Sequence, residues 1–319
     1  MDPSMTEPTP HAFDEPLDRV CAVVVTFFPD AGFPERLEKI ATQVSRVVVV
    51  DNGTSGRSSL NLDMALGIRE GITCIRNREN IGVAAALNQG VRAALKGGER
   101  FSWIATFDQD SLPAPDMVER MKKAWKCHPD PERLMVAGPR TVFVGSTLRP
   151  SPAADPSWTD ANYVITSGSL FSSRAFEVAG YFHEGLFIDY VDVEYCLRLR
   201  TLGYQVIEVH SAEILHQMGR LEENVLVGTT VHPTHHPPLR RYYQFRNALL
   251  LHRQYRTSQR PWRRRNRLIL IKMLILIVLY EKRRLQSLMQ AMRGIGHGLA
   301  GRSGRNGEGR YTQVTADTP

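Results

Sequence analysis

Residues 20–26 (VCAVVVT) and 46–50 (RVVVV) are uninterrupted apolar runs. A strand whose side chains are apolar on both faces has to be covered on both faces, which is the condition of a parallel sheet between helical layers. The intervening stretch supplies such a layer, with Phe33, Leu37, Ile40, Ala41 and Val44 at helical spacing over 33–44. The pattern repeats: a weaker strand at 72–76, an alanine-rich helix over 83–95, and a strand at 101–107 ending in Asp108-Gln109-Asp110. Strand and helix in alternation predict an α/β fold with a mostly parallel, Rossmann-like sheet, since parallel neighbours require crossover connections. Further strands are expected at 135–138, 163–171 (kinked at Ser167-Gly168) and 205–209, a short helix at 174–179, and a Pro/Ser-rich loop or irregular hairpin at 141–156.

Ligands of such sheets bind beyond the carboxyl ends of the strands. Thr26, Asp51 and the pair Asp108 and Asp110 all stand at that edge and should converge on one crevice. Two carboxylates at i and i+2 after a buried strand suit Mg2+ or Mn2+ when substrate phosphates complete the shell. The competing reading makes Asp110 or Ser111 the N-cap of a helix starting near Pro113. In LFIDYVDVEYCLR (186–198), a helix beginning near Tyr190 would put Asp189 at its N-cap and Asp192 in its first turn, where backbone N–H groups favour the ionised carboxylate. Either could serve as a general base, and spacing does not separate them. A Glu194 to Arg198 pair at i, i+4 explains part of the charge pattern without any chemistry. His216, leaving the sheet after the 205–209 strand, is a candidate metal or phosphate partner.

Taken together, Thr26, the Asp51-Asn52-Gly53 turn, the 80–90 segment (NIGVAAALNQG), Asp108-x-Asp110, the 189–198 segment and His216 stand in the order seen in inverting glycosyltransferases of the GT-A type, family 2. More narrowly, FDQDS, LFIDYVDVEYCLR and PLRRYYQFRNALLL resemble bacterial rhamnosyltransferases, those of rhamnolipid synthesis among them. The resemblance covers about 20–293. It implies that Asp51 reads the pyrimidine base, that Asp108 lies near the ribose, that Asp110 and His216 approach the metal and diphosphate, and that Asp192 is the base. Arg78 and Asn80 fall where such enzymes contact the nucleotide. The implied reaction moves L-rhamnose from dTDP-L-rhamnose to an amphiphilic glycolipid, a mono-rhamnolipid, or alternatively to a lipid-linked saccharide of O-antigen or other surface polysaccharide. It needs Mg2+ or Mn2+. Ser167, Gly168, Phe182, Phe187 and Tyr190 are the expected acceptor-side residues. A partner glycosyltransferase of the same pathway is a further expectation.

Charge is unevenly distributed. Residues 239–305 hold 17 lysines or arginines against the single acid Glu281, and the remainder holds 23 bases against 32 acids. The basic segment mixes arginine clusters with Tyr and Trp and with LILIKMLILIVLY (268–280), thirteen residues where a transmembrane helix takes about twenty. Basic flanks, interfacial aromatics and an apolar surface predict peripheral attachment to an anionic membrane surface, at the cytoplasmic face of a bacterial inner membrane. The expected organisation is a disordered leader (1–19), a GT-A domain (20–238), a basic amphipathic helical segment (239–296) and a disordered tail (297–319). Four well-separated cysteines argue for reduced thiols and against a zinc ribbon. A nicotinamide-dependent oxidoreductase is excluded because FFPDAGF, not Gly-x-Gly-x-x-Gly, follows the first strand. A nucleic-acid binder would leave Asp51, Asp110 and Asp192 without a role, so no nucleic-acid partner is expected.

Overall fold

The structure, a computed structural model, describes residues 18–96, 99–143, 157–216, 224–226, 229–231 and 237–310. Most of the expected leader, the far part of the 141–156 loop and the last nine residues of the expected tail lie outside the described residues. The N-terminal half alternates as the hydrophobic runs demand: β1 (Val20–Thr26), α1 (Phe33–Ala41), β2 (Arg46–Asp51), α2 (Arg57–Leu66), β3 (Ile72–Arg76), α3 (Val83–Lys96) and β4 (Trp103–Asp108). These four strands are parallel neighbours in the order β3-β2-β1-β4. Their pleat splits the core in two. Cys21, Val23 and Val25 face the layer that contains α3, whereas Val20, Ala22 and Val24 face α1 and its neighbours. The helix α2 is faint in the sequence because it buries only Leu62 and Ala65.

Past β4 the sheet turns mixed. The elements are β5 (Ser111–Pro113), α4 (Met117–Lys126), β6 (Leu134–Phe143), β7 (Trp158–Asp160), β8 (Leu170–Ser172), α5 (Ser173–Val178), a 3-10 turn (Glu184–Leu186), α6 (Val191–Thr201) and β9 (Gln205–His216). The sheet continues β4-β8-β6-β9-β5 with β7 on β9; β6 and β9 pair in parallel, the rest antiparallel. The strand expected over 163–171 is confined to its end. Around Ser167-Gly168 the chain curls instead, with Gly168 at φ +80 and its N–H donating to the Thr106 carbonyl at 2.7 Å.

The basic segment resolves into three helices with different environments: α7 (Pro238–Gln254), α8 (Arg260–Tyr280) and α9 (Arg284–Leu299). Its first helix is not a surface helix. Tyr242, Phe245, Arg246, Asn247, Leu250 and Leu251 of α7 are buried, and the buried Arg241 pairs with Glu281 at 2.5 Å. Along α7 runs α9, brought close by two glycines: a Cβ on Gly294 would stand 2.3 Å from the Tyr242 carbonyl oxygen, and one on Gly298 2.8 Å from that of Arg246. The outer sides of α8 and α9 leave Leu268, Ile271, Ile275, Leu279, Leu285, Met289 and Leu299 exposed. No helix among the described residues is long and apolar enough to cross a membrane.

The disorder expected from residue 297 is not found through residue 310. Helix α9 runs to Leu299, and β12 (Arg302–Ser303) pairs with β13 (Gly309–Arg310) around a 3-10 turn. The glycines there serve turns rather than flexibility, since Gly301, Gly304 and Gly307 all have φ between +70 and +82. The Gly304 N–H donates to the Gly185 carbonyl at 2.6 Å, tying the hairpin to the body of the fold.

The helix contact yields a paired prediction. Gly294→Ala should destabilise the protein by about 1–3 kcal/mol through overpacking against main chain. Gly296→Ala, where an added Cβ meets nothing within 4 Å, should be neutral or stabilising by up to about 1 kcal/mol. Denaturant unfolding of the two variants checks it; equal midpoints would remove the close-packing account.

Candidate active site

A cleft of about 740 Å3 opens at the carboxyl edge of β1 and β4. Thr26, Asn80, Asp108, Asp110, Ser167, Asp189, Tyr190 and Asp192 line it together with Arg240 of α7. Strand register explains the first convergence: Thr26 is the β-partner of Asp51, and Val25 of Asp108, so three strands end at one level. Five expected residues stand elsewhere. Asp51 is buried behind the edge, its carboxylate accepting the Thr54 N–H at 3.1 Å, and Arg78 is exposed on the following loop. Gly168 packs against Ile214 and Pro139, and Phe182 lies in an aromatic cluster with Phe171 and Tyr195. Phe187 stacks on Tyr243 at 5.2 Å and covers Gly82, whose added Cβ would meet its ring at 2.6 Å. Phe182 is buried there, whereas Phe187 is half-buried between Tyr243 and Gly82.

The two carboxylates at the end of β4 sit on a braced turn. The Asp108 N–H donates to the Ser111 hydroxyl at 3.0 Å, and that hydroxyl meets Ser167 Oγ at 2.5 Å. Gln109 accepts the Phe27 N–H at 2.7 Å, while its carbonyl accepts from Arg36 Nε at 2.8 Å, so the turn is clamped to the β1 loop. The N-cap alternative fails because 111–113 is strand β5 and the next helix starts only at Met117. Hard oxygen ligands on one wall, with the rest of the shell left to phosphate and water, fit Mg2+ or Mn2+. No group of three or more His, Cys, Asp or Glu gathers as a protein-only cage among the described residues. The backbone of His216 pairs with Ser111, next to Asp110; its side chain lies outside the described residues.

The structure separates Asp189 from Asp192. Asp189 is not the N-cap of α6: that position is Tyr190, at φ 65. The Asp189 carboxylate is committed to Arg240, which reaches it through Nε at 3.2 Å and Nη2 at 3.1 Å. The Asp192 carboxylate accepts the Val193 N–H at 2.8 Å and has no ion pair among the described residues. Burial pushes the Asp192 carboxyl up to about 6, helped by the Asp189 and Asp108 carboxylates and opposed by the Val193 N–H. Desolvation therefore outweighs the helix N-terminus, contrary to the expectation that its position keeps the group readily ionised.

The segment that delivers these residues is strained. Phe187, Asp189 and Tyr190 all have φ between +62 and +66, a region costing a non-glycine residue about 1–3 kcal/mol. Two buried side chains of α7 hold it there. Asn247 donates to the carbonyls of Leu186, Ile188 and Asp189 at 2.8 to 2.9 Å, and Arg246 donates to those of Gly185 and Leu186. Sequence reasoning missed this pair and Arg240, having taken the arginines of this stretch as membrane flanks. The available signal was Arg246-Asn247 amid Phe245, Ala248, Leu250 and Leu251, since polar groups buried in an apolar helix require partners.

A parallel half-sheet ending in carboxylates, a mixed second half and a cleft across both define a GT-A glycosyltransferase architecture. The model for "Glycosyl transferase family 2" matches residues 21–177. The chain is 32% identical over 253 residues to "dTDP-rhamnosyl transferase RfbF" of Shigella flexneri, an alignment covering 74% of this chain and 80% of that one. Among solved structures it is similar to mannosyltransferase PcManGT from Pyrobaculum calidifontis in complex with GDP-Man and Mn2+ (TM-score 0.55, 17% identity, 88% of this chain and 75% of that one). It is also similar to S. aureus TarS (TM-score 0.54, 13% identity, 88% of this chain and 49% of that one). GalNAc-T7 with UDP, GalNAc and Mn2+ is a third (TM-score 0.52, 14% identity, 67% of this chain), and there this chain spans 45% of the other. The chain belongs to glycosyl transferase family 2 and is a glycosyltransferase.

Two stability measurements follow. Asn247→Ala removes the side-chain donor of the Ile188 and Asp189 carbonyls and one of the donors of the Leu186 carbonyl, and should cost on the order of 2–3 kcal/mol; a loss below about 0.5 kcal/mol would contradict its holding role. Asp192→Asn should have the opposite sign. With a folded pKa near 6 against 3.8 unfolded, Asp192 contributes most stability below pH 3.8 and loses it as pH rises through 6. Removing the charge should therefore stabilise the free protein by about 2–3 kcal/mol at pH 7 and by much less at pH 4. Equal gains at both pH values would show that the carboxylate is not raised.

Proposed function

We propose that this enzyme is an inverting rhamnosyltransferase that moves L-rhamnose from dTDP-L-rhamnose to a mono-rhamnolipid, giving a di-rhamnolipid. The observation that carries the donor is the identity to the dTDP-rhamnosyl transferase over four fifths of that protein. For the acceptor the support is local chemistry. A side cavity of about 160 Å3 adjoins the cleft at Asp189 and Tyr190 and is walled by Trp262, Ile269 and Met273, apolar side chains suited to an acyl chain.

In this reading Asn80 faces the nucleotide, with Asp51 buried behind the cleft edge and Arg78 on the loop beside it, while Asp108 faces the ribose and Asp110 with His216 the metal and diphosphate. Bound Mg2+ or Mn2+ supplies the positive charge that offsets the departing diphosphate. Asp192 takes the proton of the acceptor hydroxyl, and that oxygen attacks the anomeric carbon on the face opposite the leaving group. Arg240 holds Asp189 beside it, so that Asp192 keeps a neighbouring negative charge and a raised pKa. Tyr190, its hydroxyl accepting from Asn266 at 2.9 Å, forms the acceptor-side wall with Ser167. The exposed apolar sides of α8 and α9, with the basic residues around them, support peripheral attachment to the cytoplasmic face of the inner membrane.

Mass spectrometry of the purified protein with dTDP-rhamnose, Mg2+ and mono-rhamnolipid should show a di-rhamnolipid that disappears with EDTA. Turnover only with a lipid-linked saccharide run in parallel would move the enzyme to polysaccharide assembly, and no rhamnosyl transfer to either would refute the donor. The rate should climb as pH passes through about 6, where Asp192 ionises, then level off. Asp192→Asn should abolish transfer yet bind dTDP, whereas Asp110→Ala should weaken metal-dependent donor binding.

A further inference from the structure

A second cavity, of about 1140 Å3, opens between the carboxyl ends of α7 and α9 and the β12–β13 hairpin, sharing no lining residue with the catalytic cleft. Arg253 of α7, Arg293 of α9 and Arg302 of β12 line it with His297, and Glu308 is the one acid. Among the described residues none of these three guanidinium groups has an ion pair or a hydrogen bond. Arg293 only covers the Tyr242 ring, at 5.2 Å. All three are solvent-exposed, whereas the buried Arg198, Arg241 and Arg246 are each occupied by carboxylates or carbonyls. Cations near helix ends gain a few tenths of a kcal/mol from the backbone dipoles, but Arg302 lies on a strand. Three forks of unspent N–H donors around one cavity match the geometry and charge of a phosphate group.

The cavity also has an apolar border. Leu285, Met289, Met292 and Leu299 lie exposed along α9, and the last two immediately precede Arg293 and Ala300 of the cavity wall. We propose that this cavity binds the phosphate head group of an anionic lipid, with the α9 stripe against its acyl chains. The proposal deepens the membrane part of the function proposed above. Its test reads binding, not transfer, so either can fail without the other. His297 offers an internal reporter. Its ring Nδ1 meets the Tyr242 hydroxyl at 2.9 Å, and burial together with Arg302, Arg293 and Arg246 holds its pKa below the usual value.

Flotation of the full-length protein with phosphatidylcholine vesicles, with and without phosphatidic acid, tests the site. A triple variant, Arg253→Ala, Arg293→Ala and Arg302→Ala, is compared with a control that removes equal charge from the exposed Arg256, Arg260 and Arg264. The cavity triple should lose at least about tenfold more phosphatidate-dependent binding than the control. Equal losses would reduce the site to diffuse attraction and overturn it, as would wild-type protein that ignores phosphatidic acid. Soluble pyrophosphate binding as tightly as the vesicles would overturn the lipid assignment. Adding short-chain phosphatidic acid should move the His297 imidazole titration upward by NMR, a change that loss of folding cannot imitate; an unmoved titration contradicts the proposal.

Discussion

One side-chain amide, that of Asn247, holds three consecutive features of the site in place by donating to the carbonyls of Leu186, Ile188 and Asp189. Without that grip and its neighbour Arg246, nothing offsets the left-handed backbone at Phe187, Asp189 and Tyr190. The same helix sends Arg240 to Asp189 and stacks Tyr243 on Phe187. Phe187 in turn covers Gly82 and accepts the Val83 N–H through its carbonyl at 2.7 Å. Helix α7 therefore packs against the cleft, linking the Gly82 loop to the helix that carries Asp192, although it lies beyond the residues that the family model matches.

The electrostatic design has two opposed halves. At the cleft, Asp108, Asp110, Asp189 and Asp192 crowd one small volume, and Arg240 pairs with Asp189. Such crowding costs stability in the free protein and suits a site built to receive a cation and then remove a proton. The C-terminal helices carry the compensating positive charge. Part of it is internal, in Arg241 with Glu281 and Arg246 with backbone carbonyls. The rest is exposed beside bare leucine and methionine.

Much of this was legible before any coordinates. Doubly apolar runs such as VCAVVVT can only be central strands, and their polar ends had to share an edge, which is why eight of the expected residues meet in one cleft. What failed was anything depending on long-range partners. Arg246 and Asn247 looked like part of a surface charge pattern because the carbonyls that they satisfy are some sixty residues away in sequence. The expected strand at 163–171 had suitable β-branched residues, but Gly168 at positive φ keeps all but its end out of the ladder. Phe187 and Phe182 were indistinguishable by type from acceptor contacts, and only packing showed that Phe182 is buried in an aromatic cluster and Phe187 stacked on Tyr243. The glycines after residue 300 read as disorder until their turns were seen.

The account's central claim is a single displacement with Asp192 as the one base and Asp189 occupied by Arg240. The anomeric configuration of the newly formed glycosidic bond, read from the one-bond carbon–proton coupling of the product, tests that most directly. Inversion relative to the donor sugar, giving an α-L-rhamnoside, is the predicted result. Retention of the donor configuration, or a sugar covalently attached to the protein, would contradict it.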